Sequence, residues 1–274
     1  MRERMPLAIL DLDNDSRSAS VAESHKGQCM TESPVEQSTP KRVLVIQAHP
    51  DDIEFSCAGT VAKWANEGAE VTYCSLTSGD KGSEDMEMTG ERLAATREIE
   101  QQAACDILGV KALRFLRYKD ATLVADLELR LALTRVMRQV KPEVVVSFDP
   151  ATRYVGQFYI NHPDHIATGE ATLAAVFPSV RDRMTFPELL AEGLEPHKVP
   201  EVYLYGTSAP DVWVDITDTI EVKLLALKAH ASQLGEWDPG EMIHDWARES
   251  AAANPNRDDA TGEYAESFKY FKLD

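Results

Sequence analysis

Val43-Leu44-Val45-Ile46 is an unbroken apolar run, three of its four residues β-branched, and it leads directly into Gln47-Ala48-His49-Pro50-Asp51-Asp52-Ile53-Glu54. A strand that is apolar at consecutive positions is buried on both faces, as in the middle of a parallel sheet covered by helices. The run therefore places a histidine and two adjacent carboxylates at the end of a central strand. That is the edge at which open α/β sheets present their ligands.

The rest of the chain repeats this alternation. Strands are predicted over residues 41–48, 70–76, 112–116 and 143–148. Between them, helices are predicted over 59–66, closed by Gly68, and over 91–108, stopped by Gly109. A third is capped by Asp126 and runs to Val140. In the second helix Ile99, Ala103 and Ile107, with Ala104 and Leu108 beside them, form the expected inward face, and Leu129, Leu133, Val136 and Val140 do so in the third. Four strands alternating with three helices predict an α/β chain with a Rossmann-like three-layer fold and a mostly parallel central sheet. The first turn reads His-Pro-Asp-Asp where a dinucleotide site would read Gly-x-Gly-x-x-Gly, and two carboxylates there would repel a pyrophosphate. A nucleotide cofactor is excluded on that ground. Further on, a helix over 164–177 is closed by Pro178, strands cover 201–207 and 212–216, and Thr217 or Asp218 caps a helix through Gln233. Residues 235–274 read as mixed, with Trp237, Trp246, Tyr264, Phe268, Tyr270 and Phe271 assigned to packing rather than to a substrate platform.

Charge narrows the partners. The 274 residues carry 28 basic and 46 acidic side chains, a net −18, which disfavours nucleic acid and an anionic membrane surface and suits a neutral or cationic small substrate. No apolar run approaches the roughly 20 residues of a spanning helix. Residues 1–40, rich in Ser, Asp, Glu, Gln and Pro, read as a disordered or loosely attached extension, leaving 41–274 as one domain. The apolar stretch from Met5 to Leu10 is followed at once by Asp11, Asp13 and Asp15 and makes a poor signal peptide. Cys29, Cys57, Cys74 and Cys105 show neither close metal spacing nor a dense disulfide pattern, so reduced thiols and a cytoplasmic location are expected.

A second cluster, Asn161-His162-Pro163-Asp164-His165, supplies what the first lacks. Two histidines and one carboxylate are a common catalytic zinc set that keeps a position open, which assigns the metal to His49, Asp52 and His165. Asp51, their neighbour, is placed to act as general base on water. His162, oriented by Asp164, stabilises an oxyanion or protonates a leaving amine. Iron or cobalt suits the same donors. His197, His230 and His244 lack such a context and read as surface or structural residues.

With its strand, Ala48-His49-Pro50-Asp51-Asp52-x-Glu54 resembles the first motif of the PIG-L/LmbE-like zinc-dependent N-acetylglucosaminyl deacetylases, and His162-Pro163-Asp164-His165 resembles the second. Weaker likeness runs over residues 77–83, 97–109, 118–120, 215–217, 230–233 and 264–268. The resemblance implies zinc on His49, Asp52 and His165, Asp51 as base, and His162 with Asp164 as the oxyanion or acid pair. It adds Asp120 as a substrate-holding position and Ser78 in a substrate loop where many relatives carry arginine. Ile160 stands where some relatives have a carbonyl-polarising tyrosine, with Tyr154 and Tyr159 as candidates to replace it. The implied activity is hydrolysis of the N-acetyl group of an amino-sugar conjugate to acetate and a free amine, and the implied assembly a homo-oligomer, trimer or hexamer. The alternatives are an amidase for a larger acyl group on a thiol conjugate or antibiotic, a lyase or hydratase, and a sugar-binding protein without turnover.

Overall fold

A computed structural model describes residues 39–157, 159–257 and 262–273. Residues 1–38, which hold nearly all of the expected extension and Cys29, lie outside the described residues. In chain order the elements are β1 (Arg42–Gln47), α1 (Asp52–Ser56), α2 (Ala58–Asn66), β2 (Glu70–Thr77), α3 (Gly90–Leu108), β3 (Ala112–Tyr118), α4 (Leu127–Val140) and β4 (Val144–Phe148). There follow β5 (Tyr154–Val155), β6 (Tyr159–Ile160), α5 (Pro163–Ala174), α6 (Glu188–Ala191), β7 (Glu201–Tyr205), β8 (Val212–Asp215), α7 (Ile220–Leu227), α8 (Ala231–Leu234), α9 (Gly240–Ala252) and β9 (Ala265–Lys272).

Seven strands form one sheet in the order β3-β2-β1-β4-β7-β9-β8, and β5 and β6 pair as a separate hairpin. From β3 to β7 all neighbours are parallel, whereas β9 runs antiparallel to both β7 and β8. The fold is thus the α/β architecture with a mostly parallel sheet that the alternation predicts. Val43, Leu44, Val45 and Ile46 are all fully buried at its centre, each contributing roughly 1.5–3 kcal/mol by leaving water. The chain goes from β1 outward to β2 and β3 and returns to β4 on β1's other side. The crevice beyond the carboxyl ends of β1 and β4 is therefore the topological switch point where such sheets bind ligands.

Local signals explain the helices that support this edge. The Asp126 carboxylate accepts the Leu129 N–H at 2.9 Å and starts α4, whose Leu129, Leu133 and Met137 are buried. Gly109 ends α3 in the left-handed conformation, which a side chain would disfavour. The inward face expected for α3 is corrected: Ile99 is 72% exposed and Ala103 faces solvent, while Arg97 and Gln101 are buried beside Leu93, Ala104 and Leu108. The apolar periodicity misled here because two inward positions are polar and serve the site.

Other expectations also shift. The helix expected from Thr217 or Asp218 to Gln233 begins after Thr219, whose hydroxyl donates to Gly59 O at 2.8 Å, ends at Leu227, and resumes as α8 after its N-cap His230. The helix begun at Pro163 gives way at Ala174 to a five-residue π turn, within which Phe177 is extended. The tail read as mixed contains α9 and β9, and β9 carries the fully buried Phe268. Cys57, Cys74 and Cys105 are buried free thiols.

Candidate active site

The loop leaving β1 is fixed from three sides. The Thr77 amide and hydroxyl, at the end of β2, both donate to Ala48 O, at 2.9 and 2.8 Å. Within the loop, Asp52 Oδ2 accepts the N–H groups of Ala48 and His49, at 3.0 and 2.8 Å. From α3, Gln101 Oε1 accepts both the Asp51 N–H at 3.1 Å and Gln47 Nε2 at 2.7 Å, while Gln101 Nε2 donates to Glu54 at 2.9 Å. One side chain thereby ties together the residues before, within and after the motif. Asp51 sits at φ 91°, ψ −20°, a left-handed conformation that costs a non-glycine residue of order 1–3 kcal/mol and persists only where neighbours impose it. Arg97 supplies the rest of the constraint, donating to Pro50 O at 2.6 Å and Asp51 Oδ2 at 3.2 Å. Gly79 permits this approach, because a Cβ there would overlap the Arg97 guanidinium.

The second cluster opens α5 directly opposite. His162 is its N-cap, and its Nδ1 accepts the Asp164 N–H at 3.2 Å. A neutral imidazole that accepts at Nδ1 carries its hydrogen on Nε2. Burial, then the neighbouring His49, lowers the His162 pKa and favours that neutral form. The Asp164 carboxylate turns elsewhere, accepting the amides of Ala121 and Leu123 at 2.8 and 3.1 Å and lying 3.3 Å from His49 Nε2. The expected side-chain pairing of Asp164 with His162 is therefore corrected. The carboxylate orients His49, and only its backbone amide meets His162.

His49 is the hub. Its Nε2 lies 3.1 Å from Asp120 and 3.3 Å from Asp164, and its Nδ1 lies 3.6 Å from Asp52. Burial alone would lower its pKa, but these three carboxylates outweigh burial and push it up to about 12. Asp52 Oδ1 lies 3.2 Å from His165 Nε2, so Asp52 spans both imidazoles. Burial would raise the Asp52 pKa, yet the two histidines hold it well below the carboxylate range. His165 is stacked on Phe148 at 4.0 Å, with Nδ1 2.9 Å from Asn161 Oδ1. A ring whose second nitrogen is held by such a partner is the usual state of a metal-ligating histidine. Asp51 differs from these groups: burial, only partly offset by Arg97, lifts its pKa to about 7.

A cavity of about 300 Å³ opens onto His49, Asp51, Arg97, Asp120, His162 and Gln233. Two groups bring their ligand atoms within 4.8 Å of one another, His49 with His162 and His165, and His49 with Asp120 and Asp164. Neither group contains Asp52, which instead approaches His49 Nδ1 at 3.6 Å and His165 Nε2 at 3.2 Å; the imidazoles and carboxylates gathered around His49 suit a divalent cation of the zinc type. Ser78 is not brought into this cavity. Its hydroxyl donates to Glu98 at 2.6 Å, and it lines a neighbouring cavity with Arg117 and Lys119. Tyr154 and Tyr159 lie on the β5–β6 hairpin, 72% and 45% exposed, with Ile160 at 86%.

Arg97, Gln101 and His230 escaped the sequence reading. His230 is fully buried with Nε2 3.4 Å from Glu54, behind Asp51. Its signal was the break in a helix that periodicity alone would continue.

The fold and this site define a hydrolase built on a Rossmann-like α/β sheet, with imidazoles and carboxylates gathered for metal-assisted acid–base chemistry at the switch point. The family model described as GlcNAc-PI de-N-acetylase (PIG-L) matches residues 44–176. The diacetylchitobiose deacetylase of Thermococcus kodakarensis is 37% identical over 204 residues, covering 73% of this chain and 74% of that protein. A 1D-myo-inositol 2-acetamido-2-deoxy-alpha-D-glucopyranoside deacetylase of Actinosynnema mirum is 29% identical, covering 80% and 89%. The solved structure of N,N'-diacetylchitobiose deacetylase from Pyrococcus horikoshii, complexed with its inhibitor, superposes with a TM-score of 0.76 at 32% identity, covering 85% of this chain and 84% of that one. The chain belongs to the PIG-L family of deacetylases, which are amide hydrolases.

Proposed function

We propose that the protein is a zinc-dependent N-deacetylase that hydrolyses the acetamide of an N-acetylglucosamine-type conjugate to acetate and a free amine. The observation that carries this reading is Asp51, a carboxylate held in a strained backbone by Arg97 and Gln101, with a pKa of about 7, facing a cavity it shares with His49 and His162. His49, Asp52 and His165 would hold the metal. His49 Nε2–H donates to Asp164 and Asp120, which fixes the ring, while Asn161 does the same for His165. When bound, a divalent cation supplies Lewis acidity and makes water nucleophilic at neutral pH.

Asp51 takes the proton of the attacking water. His162, neutral and carrying its hydrogen on Nε2, donates to the carbonyl oxygen as it gains negative charge. As the C–N bond breaks, the proton held by Asp51 passes to the leaving nitrogen, so acetate and amine depart with protons balanced. Asp120, at the cavity wall, lies where a sugar hydroxyl can donate to it. Ser78, withdrawn onto Glu98, shapes the rim through the adjoining loop, in which the Lys81 N–H donates to Asp120.

The same reading places residues 41–274 in one deacetylase domain, in a cytoplasmic homo-oligomer. No helix among the described residues is long and apolar enough to cross a membrane. The test is acetate release from a panel of N-acetylglucosamine conjugates, with zinc and with chelator. Chelator-sensitive release of about one acetate per sugar is expected, and metal-loaded protein that releases none from any conjugate would overturn the substrate class.

A further inference from the structure

Trp237 and Trp246 are half in water, 50% and 51% exposed, although the sequence assigns the tail aromatics to packing. Helix α9 buries Ile243, Ala247 and Ala251, so its apolar face is complete without Trp246. Single exposed apolar side chains are common and need no explanation. Here, however, two indoles flank a pair of adjoining cavities that share the Trp246 ring. Trp237 is stacked on Phe55, ring centroids 6.4 Å apart and planes 18° from parallel, so its exposure falls on the opposite face.

The inner cavity, about 230 Å³, lies between α1, α9 and the end of β7, and its wall is mixed, with Phe55, Ile243 and Trp246 beside Lys223, Ser250 and Glu266. Lys223 and Glu266, each 4% exposed, meet there at 2.7 Å. The Glu266 oxygens are already engaged by Lys223 and by the amides of Gly59 and Thr60, at 3.0 and 2.7 Å. Lys223 Nζ places two of its three N–H groups, on Glu266 and on Ser56 O at 2.8 Å, which leaves one donor. Ser250 also lines the cavity, and its Oγ is buried and without a hydrogen-bond partner among the described residues.

We propose that this surface is a saccharide-binding site separate from the catalytic cleft, seating one pyranose ring against Trp246 with its hydroxyls on Lys223 and Ser250. A sugar ring has an apolar C–H face that lies on an indole and hydroxyls that need donors and acceptors at its edge, and this cavity offers both. Its volume suits a single ring, so the next units of a glycan run outward along the second cavity between Trp246 and Trp237. None of the residues lining either cavity lines the catalytic cleft. The proposed site rests on this chemistry alone, while the cleft phase in its test rests on the deacetylase reading, so failure of one does not remove the other.

The test is a calorimetric and tryptophan-fluorescence titration of the full chain carrying Asp51→Asn with an N-acetylglucosamine tetrasaccharide. Two binding phases are expected. Adding Trp246→Ala, at a half-exposed position, weakens one phase at least tenfold and removes its fluorescence change. Ala247→Leu, which fills the inner cavity, acts on the same phase, while His162→Ala affects only the other. Identical titrations with and without Trp246→Ala, or no binding outside the cleft, would overturn the proposal.

Discussion

Arg97 and Arg138 are both buried arginines, 5% and 0% exposed, and they behave as opposites. Arg138, on α4, donates to five carbonyls, those of Ser179, Val180, Asp182, Thr185 and Leu194, and so holds the irregular segment after α5 against the sheet. Arg97 is less fully used. Its Nε has no partner among the described residues, and its remaining nitrogens serve Pro50, Asp51 and, at 3.4 Å, Gly79. Of the buried polar atoms near it, Gln47 Oε1 and His230 Nδ1 have no partner among the described residues, and Glu54 Oε2 has only the 3.4 Å contact with His230 Nε2. Buried polar groups are normally satisfied. Arg138 obeys that rule and Arg97 departs from it, in a loop where strain and shifted pKa values serve chemistry.

Three experiments break or sharpen this contrast. Arg138→Met removes the donors of five carbonyls and is expected to cost about 3 kcal/mol of stability, read as a lower urea midpoint, with turnover per folded molecule unchanged. A parallel fall in turnover would mean that the clamp also shapes the site. Arg97→Met should invert the pattern, lowering kcat roughly 100-fold through a misplaced Asp51 while costing less stability than Arg138→Met. Arg97→Lys should not rescue it, because one ammonium cannot reproduce the planar fork that reaches Pro50 O, Gly79 O and Asp51 together.

The last effect concerns pH. In metal-free protein the Asp51 pKa, about 7, lies above the ordinary aspartate value. Between about pH 4 and pH 7 the folded state therefore binds more protons here than the unfolded state, and stability falls as pH rises through that window. Asp51→Asn should remove this part of the slope, so that the difference in urea midpoint between variant and wild type grows from pH 4 to pH 7. A constant difference would show that burial does not hold the carboxyl protonated.

What the sequence made legible follows the same division. The apolar run of β1 and the Asp126 cap of α4 obey simple rules of burial and capping, and both stand as predicted. The His49 to Asp52 and His162 to His165 clusters were legible because strand ends of an open sheet converge, and the fold brings them within hydrogen-bond distance of one another. Arg97 and Gln101 were not legible, since helical periodicity treats inward positions as apolar and these two are inward and polar. The partner of Asp164 was equally hidden: spacing puts His162 beside it, but the long-range approach of the loop at Ala121 and Leu123 decides where the carboxylate points. The antiparallel β9 was missed because Tyr270 and Phe271 stay partly exposed on a strand near the sheet's edge, which blurs its alternation.

The division of labour between the adjacent carboxylates Asp51 and Asp52 is the centre of the account, and one paired measurement tests it. Asp51→Asn and Asp52→Asn proteins, each reconstituted with zinc, are assayed together for bound metal and for acetate release. Asp51→Asn should keep about one metal per chain and lose turnover about 10³-fold, while Asp52→Asn should lose the metal. Loss of metal from Asp51→Asn with retention by Asp52→Asn, or turnover by Asp51→Asn within tenfold of wild type, would contradict it.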